Sequence, residues 1–178
     1  FEAMQDIGLV GLAVMGQNLV LNMDDHGYTV AVYNRTVSKV DDFINGEAQG
    51  TNIIGTHSLE ALVDALERPR RVMLMIKAGQ AVDASIDALL PYLDAGDIII
   101  DGGNSNYKDT LRHAETLAAQ GIEFVDCGTS GGIWGLAEGY SMMIGGDTDT
   151  VARLTPVFEG RACQQRDPVS EDGAQQAT

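Results

Sequence analysis

The segment Gly11-Leu12-Ala13-Val14-Met15-Gly16 constrains this chain more than any other. It follows a short apolar run, Asp6–Val10, and precedes a stretch of helical character that Gly27 ends. A strand, a glycine turn and a helix in that order form a variant of the G-x-G-x-x-G fingerprint of dinucleotide-binding folds, with Ala13 in place of the second glycine. Gly11 permits the tight turn, a small residue at 13 lets a pyrophosphate approach the backbone, and Gly16 permits close helix–strand packing. The start of the helix then offers unpaired N–H groups and the positive end of its dipole.

The rest of the chain repeats the strand–helix alternation. Strands are predicted at 28–33, 52–55, 72–76, 97–100, 122–125 and 140–144. Helices are predicted at 38–45, with Ser38 as N-cap, and at 58–67, 80–93, 108–119 and near 148–158. Such units imply right-handed crossovers and a doubly wound, mostly parallel sheet of Rossmann-like α/β type. The expected organisation is a dinucleotide-binding domain over residues 4–158 and a polar, aperiodic, disordered tail over 159–178. Phe1-Glu2-Ala3, ahead of Met4, are expected to lie outside the fold.

Composition narrows the partners. The sequence has 26 acidic against 11 basic residues among 178, a net charge of −15, which argues against nucleic acid or an anionic membrane. No apolar run reaches the roughly 20 residues of a membrane span, and no secretory signal is visible. Cys127 and Cys163 lack metal or redox spacing and fit a reducing cytosol, so a cytoplasmic location and no metal are expected.

Positions after the second strand bear on cofactor choice. Versions of this fold that bind NAD usually place an acidic residue there for the ribose hydroxyls. Here the strand ends in Tyr33-Asn34-Arg35-Thr36. Asn34 does not repel a 2′-phosphate, Arg35 can pair with one and stack on adenine, and Thr36 can donate a hydrogen bond. This favours NADP, with NAD as the alternative. Lys77 follows another apolar strand, at the sheet edge where ligands gather. Asp101-Gly102-Gly103-Asn104-Ser105 and Gly128-Thr129-Ser130-Gly131-Gly132 are further glycine turns expected on that edge. Asn104 offers an amide, and Ser130 with the Gly131 and Gly132 amides offers an anion nest. Asp101 reads as a turn carboxylate. His26, His57 and His113 read as solvated or capping histidines.

Taken in order, the strings GLAVMGQNL (11–19), YNRTVSKVDDF (33–43), PRRVMLMIKAG (69–79), DIIIDGGNS (97–105) and TSGG (129–132) resemble the 6-phosphogluconate dehydrogenase family. The resemblance covers most of residues 4–158. It implies an oxidoreductase of the pentose phosphate pathway and gluconate utilization that decarboxylates 6-phosphogluconate to ribulose 5-phosphate with NADP. It implies that Gly11, Leu12, Ala13, Val14, Met15, Gly16, Asn34, Arg35, Thr36, Ile76, Lys77, Ala78 and Asn104 contact cofactor. Asn104, Ser130, Gly131 and Gly132 would hold substrate. The Ile133-Trp134-Gly135 stretch and GYSMMIGGD (139–147) look like a shorter, NAD-preferring branch.

The family's general acid and base lie in a C-terminal helical domain that the resemblance does not reach. The expectation is therefore a truncated coenzyme domain with no catalytic residue of its own, weakly active or inactive alone, and self-associating through surface that the absent domain would cover. The competing readings are a stand-alone nucleotide-binding or interaction module and a related β-hydroxyacid dehydrogenase.

Overall fold

The computed structural model describes residues 4–103, 105–130, 141–145 and 163–165. Strand β1 (Ile7–Val10) enters α1 (Val14–Asp25) through the glycine turn. The helix stops where Gly27 takes φ +86° and the exposed His26 turns its Nδ1 to the Asn22 carbonyl at 2.7 Å. Next come β2 (Val30–Tyr33), α2 (Val37–Asn45), β3 (Ile54–Gly55) and α3 (Leu59–Asp64). Helix α2 starts a residue earlier than the sequence implies. Its N-cap is Thr36, in extended conformation, whose carbonyl accepts the Lys39 N–H, and Ser38 lies inside the helix.

Ser58 caps α3 as expected, its Oγ accepting the Ala61 N–H at 3.0 Å. The helix is shorter than the 58–67 periodicity suggests. Beyond Asp64 the chain peels off to pair with the N-terminal segment: Gln5 N–H donates to Ala65 and Glu67 N–H to Gln5. Strand β4 (Arg71–Leu74) leads to α4 (Gln80–Leu89), which tightens into a 3-10 turn at Leu90–Tyr92. Pro91 lies in that turn and has no N–H with which to continue an α-helical ladder. Then come β5 (Ile98–Asp101), α5 (Tyr107–Ala118) and β6 (Glu123–Ser130), with β7 (Ser141–Gly145) and β8 (Cys163–Gln165) described beyond them.

All these strands form one sheet in the order β3-β2-β1-β4-β5-β6-β7-β8. The stretch from β3 to β6 is parallel, β7 runs antiparallel on β6, and β8 is parallel to β7. The doubly wound, mostly parallel fold read from the sequence is therefore the observed one. Strand β8 lies where the sequence shows only an aperiodic tail. The helix expected near 148–158 lies outside the described residues.

Side chains alternate between the faces, as strands require. Ile7, Leu9, Met73, Ile98 and Ile100 join a core covered by α1 and α2, whose Leu19, Val20, Met23, Val40 and Phe43 are buried there. Val10, Val72, Leu74 and Ile99 join a second core, under Leu62 and Val63 of α3, Val82, Ile86 and Leu89 of α4, and Leu117 of α5. The strand order reverses between β1 and β4. That switch point opens a crevice at the carboxyl ends of the strands, where ligands of such sheets bind.

Candidate functional site

The turn at the switch point is held by contacts that only glycine permits. Gly11 has φ +108°, and a Cβ there would stand 2.3 Å from the Met75 carbonyl oxygen, in the loop leaving β4. A Cβ on Gly16 would stand 2.0 Å from the Gly11 carbonyl oxygen. These are the packing constraints expected of the fingerprint's outer glycines. Ala13 is exposed and serves as N-cap of α1, yet no side chain caps the helix. The first N–H groups of α1 are therefore left without a side-chain acceptor, beside an exposed Val14.

Asn34 ties the neighbouring loops together. Its Oδ1 accepts the Leu12 N–H at 2.9 Å and its Nδ2 donates to the Thr36 carbonyl at 3.0 Å. Gly11 N–H donates to the Tyr33 carbonyl, and Gln17 Nε2 donates to the Leu12 carbonyl. One carboxamide thus fixes the fingerprint turn against the loop that carries Arg35 and Thr36, both of which are exposed.

Beside this junction is a cleft of about 370 Å³. One side is Val10, Gly11, Tyr33, Asn34 and Arg35, with Leu59 from the start of α3 and Ile76 from the β4 exit. The other is the face of α4 made of Ala81, Ala84, Ser85 and Ala88. Lys77 and Ala78 are exposed in the same exit loop as Ile76. Sequence reasoning identified the strand-end residues but missed the α4 wall. The available signal was the small side chains at helical spacing (81, 84, 85, 88), on the face next to the larger Val82, Ile86 and Leu89 that pack on the sheet.

The turn after β5 lies on the same edge. A Cβ on Gly102 would meet the Met75 sulfur at 2.4 Å, and one on Gly103 the Ile76 carbonyl oxygen at 2.3 Å. Asp101 is fully buried and organises the turn as expected: Oδ1 accepts the Gly103 N–H at 2.9 Å, and Oδ2 accepts the Ser105 hydroxyl. Asn104, which this turn carries, lies outside the described residues, as do Gly131 and Gly132. Ser130 ends β6.

Asp126 stands in register with Asp101 on the adjacent strand. Its Oδ1 is buried without a hydrogen-bond partner. Burial, with a smaller contribution from the Asp101 charge, pushes its pKa up to about 6. Such a group leaves stability untouched below the ordinary value of 3.8, where folded and unfolded chains are both protonated. Stability falls as pH rises from there to about 6, because only the unfolded chain ionises in that window. Asp126→Asn should therefore melt higher than the parent at pH 7, with the difference vanishing near pH 3.5. Allowing for solvent screening, the gain is on the order of 1 kcal/mol, or about 3 °C. Thermal melts across pH 3.5–8 check this, and equal melting temperatures at pH 7 would contradict it.

The histidines divide. His26 caps α1, and the exposed His57 pairs with Asp41 at 2.7 Å, both as expected. His113 does not fit that reading: it is buried and bonded to Asp83 of α4. Among the described residues, no cluster could hold a metal ion and no helix is long and apolar enough to cross a membrane.

A parallel sheet with a switch-point crevice, a glycine turn opening onto an uncapped helix start, and a cleft alongside together define a dinucleotide-binding domain of the doubly wound α/β class. Residues 6–165 match the family model described as the NAD binding domain of 6-phosphogluconate dehydrogenase. This chain belongs to that family. It is 56% identical over 169 residues to the decarboxylating 6-phosphogluconate dehydrogenase of Cunninghamella elegans, covering 95% of this chain and 35% of that protein. The Ovis aries enzyme is 53% identical over 178 residues, covering 97% and 37%. Among solved structures, the Plasmodium falciparum 6-phosphogluconate dehydrogenase, described in apo form and in complexes with its cofactor NADP+ and its substrate 6-phosphogluconate, superposes with a TM-score of 0.82. It is 39% identical, and the match covers 89% of this chain and 34% of that one. The chain thus spans about a third of the length of these relatives.

Proposed function

We propose that this chain is the coenzyme-binding part of an NADP-dependent 6-phosphogluconate dehydrogenase (decarboxylating), with the binding domain at residues 4–158. The observation that carries the reading is the fingerprint turn beside a cleft whose strand-end wall bears Arg35 where NAD-binding folds usually carry an acid. The cradle fits a dinucleotide. At Gly11 and Gly16 a Cβ would collide with backbone, and the N–H groups of the α1 start are free of side-chain caps.

In this reading Gly11–Gly16 and the start of α1 hold the pyrophosphate. The α4 wall and Arg35 enclose the adenine. Asn34 keeps Arg35 and Thr36 at the 2′-phosphate, and Ile76, Lys77 and Ala78 line the path toward the nicotinamide. Asn104, Ser130, Gly131 and Gly132 hold the sugar acid against it. When bound, NADP supplies the hydride acceptor. The substrate is a β-hydroxy acid; loss of hydride from C3 gives a β-keto acid, which releases carbon dioxide to an enediol. This chain's share of the work is alignment, and the proton-transferring acid and base are assigned to residues outside 4–158. A cytoplasmic location, in keeping with two cysteines that lack metal or redox spacing, belongs to the same reading. So does self-association through exposed apolar positions such as Leu111 of α5.

Calorimetric titration of the chain with NADP and NAD tests the cofactor reading. Arg35→Ala should weaken NADP binding roughly 10- to 100-fold, the range of a lost charge-assisted contact, and NAD binding by less than about threefold. Equal losses for both would remove the 2′-phosphate role.

A further inference from the structure

Helix α4 turns its small residues to the cleft and its large apolar residues to the sheet. A further side chain, Asp83, reaches α5. There its Oδ1 accepts from His113 Nε2 and, at 3.0 Å, from the Arg112 guanidinium. The partners differ in burial: the His113 side chain is 7% exposed and that of Arg112 55%. The His113 ring also packs on Phe124 of β6, with centroids 5.5 Å apart and planes tilted by 54°. The sheet therefore fixes the imidazole, and the imidazole fixes Asp83. The His113 hydrogen bond, assisted by Arg112, holds the Asp83 carboxyl below the usual range against desolvation. Asp83 stands in the first turn of α4, whose N-cap is Gly79 at φ +103° with no capping side chain, so the tie to α5 holds the helix where its own cap does not.

We propose that His113 and Asp83 form a brace that sets the stance of α4 over the cleft, and so the fit of the adenosine half of the cofactor. This rests on the cofactor reading above. Both are positioning residues: neither lines the cleft, but Ala81, Ala84 and Ser85 flank Asp83 on the same helix. A displaced α4 changes the gap that the adenine must fill, and packed elements move as bodies.

The test is calorimetry on the full 178-residue chain with 2′,5′-ADP, which carries the adenosine half, and with nicotinamide mononucleotide, which lacks it. His113→Leu fills the buried volume without a donor, and His113→Gln restores one. The expected result is a roughly three- to tenfold weaker 2′,5′-ADP affinity for His113→Leu, rescue to within about twofold by His113→Gln, and little change for nicotinamide mononucleotide with either. Thermal melts verify folding. If His113→Leu does not fold, Asp83→Ala, which removes the acceptor at a part-exposed position, takes its place with the same expected loss. Unchanged 2′,5′-ADP affinity in a folded variant overturns the brace, as does an equal loss for both probes or a failure of Gln to rescue. Absence of 2′,5′-ADP binding by the unaltered chain overturns the cofactor reading and the brace with it.

Discussion

Gly11→Ala is expected to remove measurable NADP binding and to lower the melting temperature as well. The new methyl group has to enter a space bounded by the Met75 carbonyl oxygen at 2.3 Å and the Ile76 Cγ2 at 2.9 Å. The nearest obstacle is backbone, which cannot rotate away as a side chain can. At φ +108° the residue would also be strained wherever it stood. The loops leaving β1 and β4 must therefore separate. They are the loops that would grip the pyrophosphate and the nicotinamide side, and misplacement of about 1 Å at such a site can cost on the order of 100-fold. Gly27→Ala is the informative control. It has φ +86° but nothing within 4 Å of the added carbon. It should show only the conformational strain, about 1–2 kcal/mol, with NADP affinity unchanged. If Gly11→Ala behaves like Gly27→Ala in a titration, the close approach of the two loops is not what forms the site.

The largest expected loss of stability lies at the opposite end of the sheet. Asp97 is buried, and its carboxylate accepts the N–H groups of Arg70 and Asp94, both at 2.8 Å, and the Arg70 guanidinium at 3.3 Å. Arg70 is itself buried and also reaches the Tyr92 carbonyl and Asp94. Asp97→Ala leaves two backbone N–H groups without their acceptor and the buried Arg70 with only the Tyr92 carbonyl and the more exposed Asp94 carboxylate, a loss of about 3–5 kcal/mol, or a melting temperature lower by about 10–15 °C for a chain of this size. This network lies before β4 and β5 begin, far from their carboxyl ends. The folded fraction of the variant should therefore keep its NADP affinity. Gly11→Ala and Asp97→Ala should separate cleanly, the first lost in binding and the second in stability. A change below about 1 kcal/mol for Asp97→Ala in chemical denaturation would show that the network is not structural.

Much of this arrangement can be read from local sequence. The fingerprint, the β-branched strands and the Ser58 cap are short-range features, and each gave the correct element. Boundaries shifted where distant segments intervene. Helix α3 ends early because Gln5 recruits the backbone of Ala65 and Glu67, and no local propensity carries that information. His113 was misread for a related reason. As part of a polar helical stretch it looks solvated, and only the meeting of α4 and α5 reveals Asp83 as its partner. The α4 wall of the cleft was missed because alanines usually mark a helix that packs tightly rather than one that leaves room. The substrate-side residues Asn104, Ser130, Gly131 and Gly132 rest on their motifs.

The alanine-lined face of α4 also determines which way the cleft can evolve. Ala81, Ala84 and Ala88 already carry the smallest side chain a helix tolerates well. Enlarging the cavity from that side would require glycine, at about 1 kcal/mol of helix stability per position. Filling it takes only a commonplace exchange to serine, valine or leucine. Substitution at this wall is thus asymmetric: selection can readily narrow the cleft, whereas widening it would have to begin on the strand side, at Tyr33 or Arg35.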